Sequence, residues 1–427
     1  MSPSESGSRV ARTADDIWPA AERATQAAHE VLRNNLRGPC AGLPRAAAWG
    51  YPEPYTRDIL ISGLAALATQ DENLMDSLRL VLETLARNQS PLGLMPSLVH
   101  DASDLGASDT TPLFLMVLAF YRRVTGESDF LREAADKALV WMDYRSSESR
   151  VIVDQQPTTD WRDELWVPGY GLYVNSLVYT YLRAFREQEK ATRLYERMHR
   201  LVAPAAGIEN KERSVGHGGQ NTPPLSPRLQ AALRHQKLRG LLLGNKPYFA
   251  LWAFKEYSSD RFDLMGNSLA ILSGLAPPDL AGEMVVWIET ECRRLRARME
   301  LTGDLPPCLF PYQQHDDWDY RPRIERLNPP GCYANGGIWP FICGLYVAAL
   351  VAADRLDLAR KKLAALTALV SQAKNPNLEF GFNEWHRAQD GLPQGQDWQT
   401  WSAALFLYAV ECVRRDSTPL FDEVRRD

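Results

Sequence analysis

The stretch WQTWSAALFLYAVECV, residues 398–413, decides the fold class. Trp398, Trp401, Leu405, Tyr408 and Cys412 recur at steps of three and four, which places them on one face of a helix turning every 3.6 residues. Working outward, the same period marks segments 14–36, 56–70, 72–89, 109–125, 127–147, 170–185, 189–204, 263–276, 278–298, 337–353, 355–374 and 397–414. Almost no alternation of period two lies between them, so the sequence predicts an all-α protein. The connections alternate in length. They are one or two residues near Asp71, Gly126, Glu187, Pro277 and Asp354, and long elsewhere. Short links make antiparallel helix hairpins, and six hairpins arranged in a ring would gather every long connection at one rim. The expected architecture is an (α/α)6 barrel, six helical hairpins in a closed double ring. It would occupy 13–427 as a single domain, after a disordered tail at 1–12 and with an inserted flap around 205–262.

Long connections inside a compact domain usually carry function, which directs attention to 37–55, 90–108, 148–169, 205–262, 299–336 and 375–396. Trp49, Trp161, Trp166, Trp318 and Trp385 lie in them, and Trp339, Trp398 and Trp401 open the helices that follow. Indole faces stack on the C–H surfaces of sugars, although rim aromatics also simply pack loops together. The Gly- and Pro-rich stretch 216–249 reads as the flap, either a surface excursion or a substrate lid.

Composition narrows the classes further. The 427 residues carry a net charge of −5, with 45% hydrophobic and 24% charged side chains, ordinary values for a globular chain. No segment concentrates Lys and Arg among aromatics, so nucleic acid is not an expected partner. The beginning, MSPSESGSRVARTADD, has no apolar core of a signal peptide, and no run reaches the ~18 apolar residues of a membrane span, which predicts a cytoplasmic protein. Cys40, Cys292, Cys308, Cys332, Cys343 and Cys412 show no metal-ligand spacing and are expected to be reduced thiols. GxSxG, GxGxxG and GxxxxGK are absent from the sequence. No cofactor and no metal are expected, although His315 stands beside two aspartates.

Four acidic clusters fall at the expected rim: YTRDIL with Arg57 and Asp58, TTDWRDELW with Asp160 and Asp163, QHDDWDY with His315, Asp316 and Asp317, and FNEWH with Glu384. Hydrolysis of a glycosidic bond needs one carboxylic acid to protonate the leaving oxygen and one carboxylate to activate water. Inversion separates them by ~6.5 to 9.5 Å, so they should come from different loops facing across a cavity. Asp163 and Glu384 fit. Between Trp161 and Trp166, Asp163 should be partly desolvated and resist ionising, while Glu384 must be ionised. Helix capping competes as the explanation for Asp58, and is favoured for Asp109 in SDTTP.

In order along the chain, HDDWDY, NGGIWP, FNEWH and WQTWSAALFLYA resemble motifs of the neutral/alkaline invertases, glycoside hydrolase family 100, and more loosely those of helical-barrel α-glucosidases and trehalases. Upstream, YTRDIL and FDLMGNSLAIL resemble the family's arginine-aspartate and glycine-asparagine helix starts. The resemblance implies Glu384 as catalytic base and Asp163, with Asp160 as the alternative, as acid. It implies a small carbohydrate partner held by Arg57, Asp58, Asp160, Trp161, His315, Asp316, Asp317, Trp318, Asn335, Trp339, Trp385 and Trp398. The chain departs from the invertases at QGQDWQTW, where they place an arginine, and in a shorter approach to Arg57. The expected activity is therefore inverting release of glucose from a small α-glucoside, whether a sucrose-like disaccharide or a glucosyl-glycerate or glucosyl-glycerol. Another helical-barrel glycosidase, a glycoside phosphorylase, a sugar isomerase and a sugar-binding protein are the competing readings.

Overall fold

The computed structural model describes residues 17–146, 151–202, 240–254, 257–317, 320 and 325–426. The expected tail at 1–12, residues 216–239 of the flap stretch and Trp318 lie outside them. All twelve segments read as helical carry helices: Trp18–Asn35, Thr56–Thr69, Glu72–Asn88, Thr110–Thr125, Arg132–Arg145, Leu172–Ala184, Gln188–Met198, Leu264–Ser273, Pro278–Ala297, Pro340–Ala352, Leu356–Val370 and Thr400–Arg415. Among the described residues there is one further, short helix, Phe421–Arg426, which was not foreseen. Two bounds differ appreciably from expectation. The segment 127–147 becomes helical only at Arg132, because Leu131 sits in the left-handed region at φ 55°. The segment 189–204 stops at Met198, and the chain then pairs Leu201–Val202 in parallel with Leu242–Leu243.

Helix ends follow local chemistry. Asp71 caps the Glu72 helix by accepting from the backbone N–H of Leu74 at 3.2 Å. Gly126 and Gly274, both at φ 78°, end the Thr110 and Leu264 helices in the left-handed conformation that glycine adopts without a Cβ clash. Pro278 and Pro340 stand in the first turn of their helices, where the missing N–H costs nothing.

Burial separates the helices into two kinds. The Glu72 helix buries only Leu74, Leu78, Val81, Leu82 and Leu85, a single stripe. The Thr110 helix buries every residue from Thr110 to Tyr121, and the Pro340 helix every residue from Pro340 to Val351. A helix buried all round must be enclosed by other elements, whereas a striped one faces water on its other side. The Thr56, Thr110, Leu172, Leu264, Pro340 and Thr400 helices are of the enclosed kind, and each packs on the next in that order, with the Thr400 helix also on the Thr56 helix. The striped helices lie outside them: Glu72 on Thr56, Arg132 on Thr110, Gln188 on Leu172, Leu356 on Pro340, and Trp18 on Thr400 and Leu356. Connections inside a helix pair are short and those between pairs are long, and from residue 170 onward the long ones carry two- and three-residue strands, among them Trp385–His386 with Pro393–Gln394.

Candidate active site

Arg57 and Asp58 occupy the first turn of the Thr56 helix, whose start is pinned by the Thr56 N–H donating to Ser97 O at 2.8 Å. Arg57 grips Asp109 with two nitrogens, Nε to Oδ2 and Nη2 to Oδ1 at 3.1 Å, and its Nη1 reaches Asp163 Oδ1 at 3.3 Å. This corrects the capping expectation for Asp109. Its side chain makes no cap hydrogen bond, and its fully buried carboxylate is committed to the guanidinium, a charge-assisted pairing that outcompetes a single N–H. Asp58 is not the N-cap residue, a place Tyr55 takes, but its carboxyl accepts from its own backbone N–H in the first turn. Burial raises its carboxyl to about 7, against the pull of Arg57 and with help from the charges of Glu384 and Asp163.

Asp163 is presented by a tightly held turn. Asp160 accepts from the Arg162 backbone N–H at 2.9 Å, from Arg162 Nε and Nη2 at 3.1 and 2.6 Å, and from Gln155 Nε2 at 2.9 Å. Arg162 extends to Asp263 Oδ2 at 3.0 Å. The expectation that Asp160 binds sugar is therefore corrected. It is enclosed, its lone pairs are taken, and although burial pushes its carboxyl up, the charge and hydrogen bonds of Arg162 hold it below the ordinary value. Asp163, at φ 26°, points out of this turn with 56% of its side chain open to solvent. Protein nonetheless surrounds its carboxyl, the situation of a group on the floor of a depression. Desolvation raises it to about 6, Arg57 opposing, Asp109 and Asp160 assisting.

Glu384 precedes the hairpin of Trp385–His386 and Pro393–Gln394. Its N–H donates to Gln396 O at 2.9 Å, and the Gln396 N–H donates back to Glu384 Oε2 at 3.3 Å. Gly395, at φ 67°, lies so close that a Cβ there would collide with Oε2. The side chain is 5% exposed, and burial lifts its carboxyl to about 7. The Gln396 N–H, the Gln399 side chain and Lys374 pull down, while the charge of Asp163 pushes up. Both carboxyls are thus lifted toward neutrality by burial, with Arg57 opposing at Asp163 and the Gln396 N–H opposing at Glu384.

Tyr51 and Tyr333 complete the cluster and were not foreseen. Burial raises Tyr51 to about 12 and pushes Tyr333 up, and the charges of Glu384, Asp58 and Asp163 add to both. The tyrosine pair in YPEPYTRD and the Tyr333 of GCYANGGIWP were visible signals. Tyr333, at φ 42°, stands 5.1 Å from the Trp339 ring and 5.9 Å from that of Trp385, and its carbonyl accepts from Trp339 Nε1 at 3.0 Å. Trp339 meets Trp161 edge-on at 5.4 Å. Both indoles are essentially inaccessible, so they are corrected from sugar-stacking faces to the backing of the wall that Tyr333 and the half-buried Trp385 present.

Other expected residues have partners of their own. Asn335 is fully buried and staples its own loop, donating to Gln313 O and Asn328 O at 2.9 Å each and accepting from the Gln313 N–H at 2.6 Å, which leaves it nothing for a sugar. Asp317 pairs with Arg261 at 2.6 Å, His315 lies exposed beside Glu325 at 3.4 Å, and Asp316 is exposed. The partners of Asp317 and His315 lie outside the cluster. Trp398 donates to Phe380 O at 3.0 Å and lies 5.3 Å from the Trp49 ring. All six cysteines are free. Among the described residues no three His, Cys, Asp or Glu side chains gather as a metal site, and no helix is long and apolar enough to cross a membrane.

Comparison with known proteins bears on both halves of this picture. The family model of alkaline and neutral invertase matches residues 251–416. Probable alkaline/neutral invertase F of Arabidopsis thaliana is 29% identical over 35% of this chain and 28% of its own length. Cytosolic invertase 1 of Oryza sativa subsp. japonica is likewise 29% identical, over 35% of this chain and 25% of its own. The chain spans about a quarter of the length of these curated relatives. Among solved structures, the family 63 mannosylglycerate hydrolase of Thermus thermophilus in complex with glucose superposes with a TM-score of 0.58 at 14% identity, covering 90% of this chain and 99% of the other. A further glycosidase, in its wild-type form, gives a TM-score of 0.56 at 13% identity over 97% of this chain and 99% of its own. Residues 251–416 thus carry a likeness to the alkaline and neutral invertases, and the chain as a whole has the helical fold of family 63 glycosidases.

Proposed function

We propose that this chain is an inverting glycoside hydrolase that releases glucose from a small α-glucoside, with Asp163 as general acid and Glu384 as general base. The observation that carries the reading is that Asp163 and Glu384, from loops more than 200 residues apart, come within electrostatic reach of each other and are both held near neutrality by desolvation. Such a pair can hold one proton and lack another at the pH of a cell. The proton on Asp163 passes to the glycosidic oxygen as the C–O bond breaks. Water attacks the anomeric carbon from the opposite face and gives its proton to Glu384, so the products are the inverted sugar and the free aglycone. Arg57, Asp58, Tyr51, Tyr333 and Trp385 are proposed to hold the glucosyl unit.

The order of helix contacts supports a closed (α/α)6 ring for the scaffold, as one catalytic domain over 13–427. The names of similar proteins support two aglycone types: fructose, as in an invertase, and a glycerate, as in the Thermus hydrolase. A cytoplasmic site of action is part of the proposal and is supported by the similarity to cytosolic invertase 1.

The test is a screen of sucrose, trehalose, kojibiose, isomaltose, glucosylglycerol and glucosylglycerate for free glucose, with the anomeric proton followed by NMR in the first minutes. Release of β-glucose from one α-glucoside is the expected result. Early α-glucose would mean retention and would remove Glu384 from its role as base. Substrate binding with no turnover on any member would favour a sugar-binding protein.

A further inference from the structure

We infer that Asp109 is a positioning residue for the acid: by engaging Arg57 through both carboxylate oxygens, it offsets the guanidinium charge beside Asp163 and leaves Asp163 able to keep its proton. The inference rests on the proposed role of Asp163, and goes beyond it by assigning work to a residue that touches no substrate.

The geometry is one-sided. Arg57 spends Nε and Nη2 on Asp109, which is fully buried and also receives the Tyr173 hydroxyl at 3.3 Å. Only Nη1 remains for Asp163, at 3.3 Å. A general acid next to an uncompensated arginine is poorly placed, since an opposite charge within ~4–6 Å draws a carboxyl down by ~1–3 pH units and strips its proton. A second carboxylate on the far side of the guanidinium works against that pull while leaving the hydrogen bond that aims Asp163. The other groups facing Asp163 do not perform this task. Asp58, next to Arg57 on the same helix, is pushed up toward neutrality by burial, Asp160 is taken up by Arg162, and Tyr51, Tyr55, Tyr333 and Glu384 approach from other loops without a hydrogen bond to Arg57. Burial pushes the Asp109 carboxyl up, and the charge of Arg57 and the hydrogen bonds from Arg57 and the Tyr173 hydroxyl oppose this. Were Asp109 itself protonated, replacing it with asparagine would be silent, and that outcome is included below.

The experiment follows the Asp163 carboxyl by 13C NMR in the full chain with labelled aspartate, its signal identified by loss in Asp163→Asn, and runs kcat against pH alongside. In Asp109→Asn the Asp163 midpoint should fall by about one pH unit or more, and kcat above pH 7 should fall with it by about tenfold or more, while on the acid side it stays close to the wild type. Asp109→Asn with Arg57→Gln removes both charges and should return the midpoint at least to that of the wild type. A folded Asp109→Asn with an unmoved midpoint overturns the inference, and so does an equal fall in the double variant. A loss of kcat by the same factor at every pH marks a merely structural residue. If Asp109→Asn does not fold, the double variant decides, and a midpoint below that of the wild type counts against the inference. A wild type that hydrolyses no glucoside would defeat the proposed function, while the NMR titration would still report on Asp109.

Discussion

Asp163 and Glu384 are both carboxyls in desolvated surroundings, and the difference between them is Arg57. Burial raises Asp163 to about 6 and Glu384 to about 7, so the two carboxyls lose their protons in two steps near neutrality that belong to the pair. Activity should therefore trace a narrow bell centred between pH 6 and 7, and a profile flat from pH 4 to 9 would exclude two titrating carboxyls. The roles can be separated chemically. Asp163→Asn should lower the rate on an ordinary glucoside by ~10²–10⁴ yet largely spare α-glucosyl fluoride, whose leaving group needs no proton, whereas Glu384→Gln should lose both. Asp58 gives a stability prediction. Its folded-state value, raised to about 7, means the native chain holds a proton that the unfolded chain releases near pH 4, so stability declines as pH climbs from 4 to 7. Asp58→Asn should accordingly stabilise by ~1–2 kcal/mol at pH 8 and by little at pH 4, read from denaturant midpoints. At this scale motif order in the sequence singled out Arg57, Asp58, Asp163 and Glu384, which the structure brings within electrostatic reach of one another. The sequence was not legible for Asp109, Asn335 or Tyr333, because whether a polar side chain meets a neighbouring N–H, its own loop or a partner far along the chain is set by the path of that loop.

At the scale of elements, helices were readable because each carries its own period and stop signal, as the spacing of Trp401, Leu405, Tyr408 and Cys412 and the glycines at 126 and 274 illustrate, although the Thr400 helix is buried all round and not along that one face alone. The strands were not, since a pair such as Trp385–His386 with Pro393–Gln394 is too short to display an alternation and exists only because the loop doubles back. One tie between elements is open to measurement. Lys362, fully buried on the Leu356 helix, meets Glu289 of the Pro278 helix at 2.8 Å and Asp304 of the following loop. Both acids keep some solvent, so Lys362→Ala should cost toward the lower end of the ~3–5 kcal/mol seen on breaking buried pairs, a fall to be read in equilibrium unfolding. A loss below ~1 kcal/mol would show the tie to be effectively a surface pair.

For the molecule as a whole, a ring proposed to close through the Thr56 and Thr400 helices has no internal boundary at which part of it could stand alone. Thermal unfolding should be one cooperative transition by calorimetry and circular dichroism together, and a chain ending at 397 should fail to give a smaller folded unit; two separated transitions would argue against closure. The same contact has a consequence during synthesis. The Thr56 helix buries eleven of its fourteen residues, in part against a helix translated ~330 residues later, which at ~5–20 residues per second is a wait of roughly 15 to 70 s. Through that interval an apolar surface emerges from the ribosome with its eventual neighbour not yet made. Yield in a cell should therefore follow the supply of holding chaperones and the pace of elongation, even where the finished protein is stable.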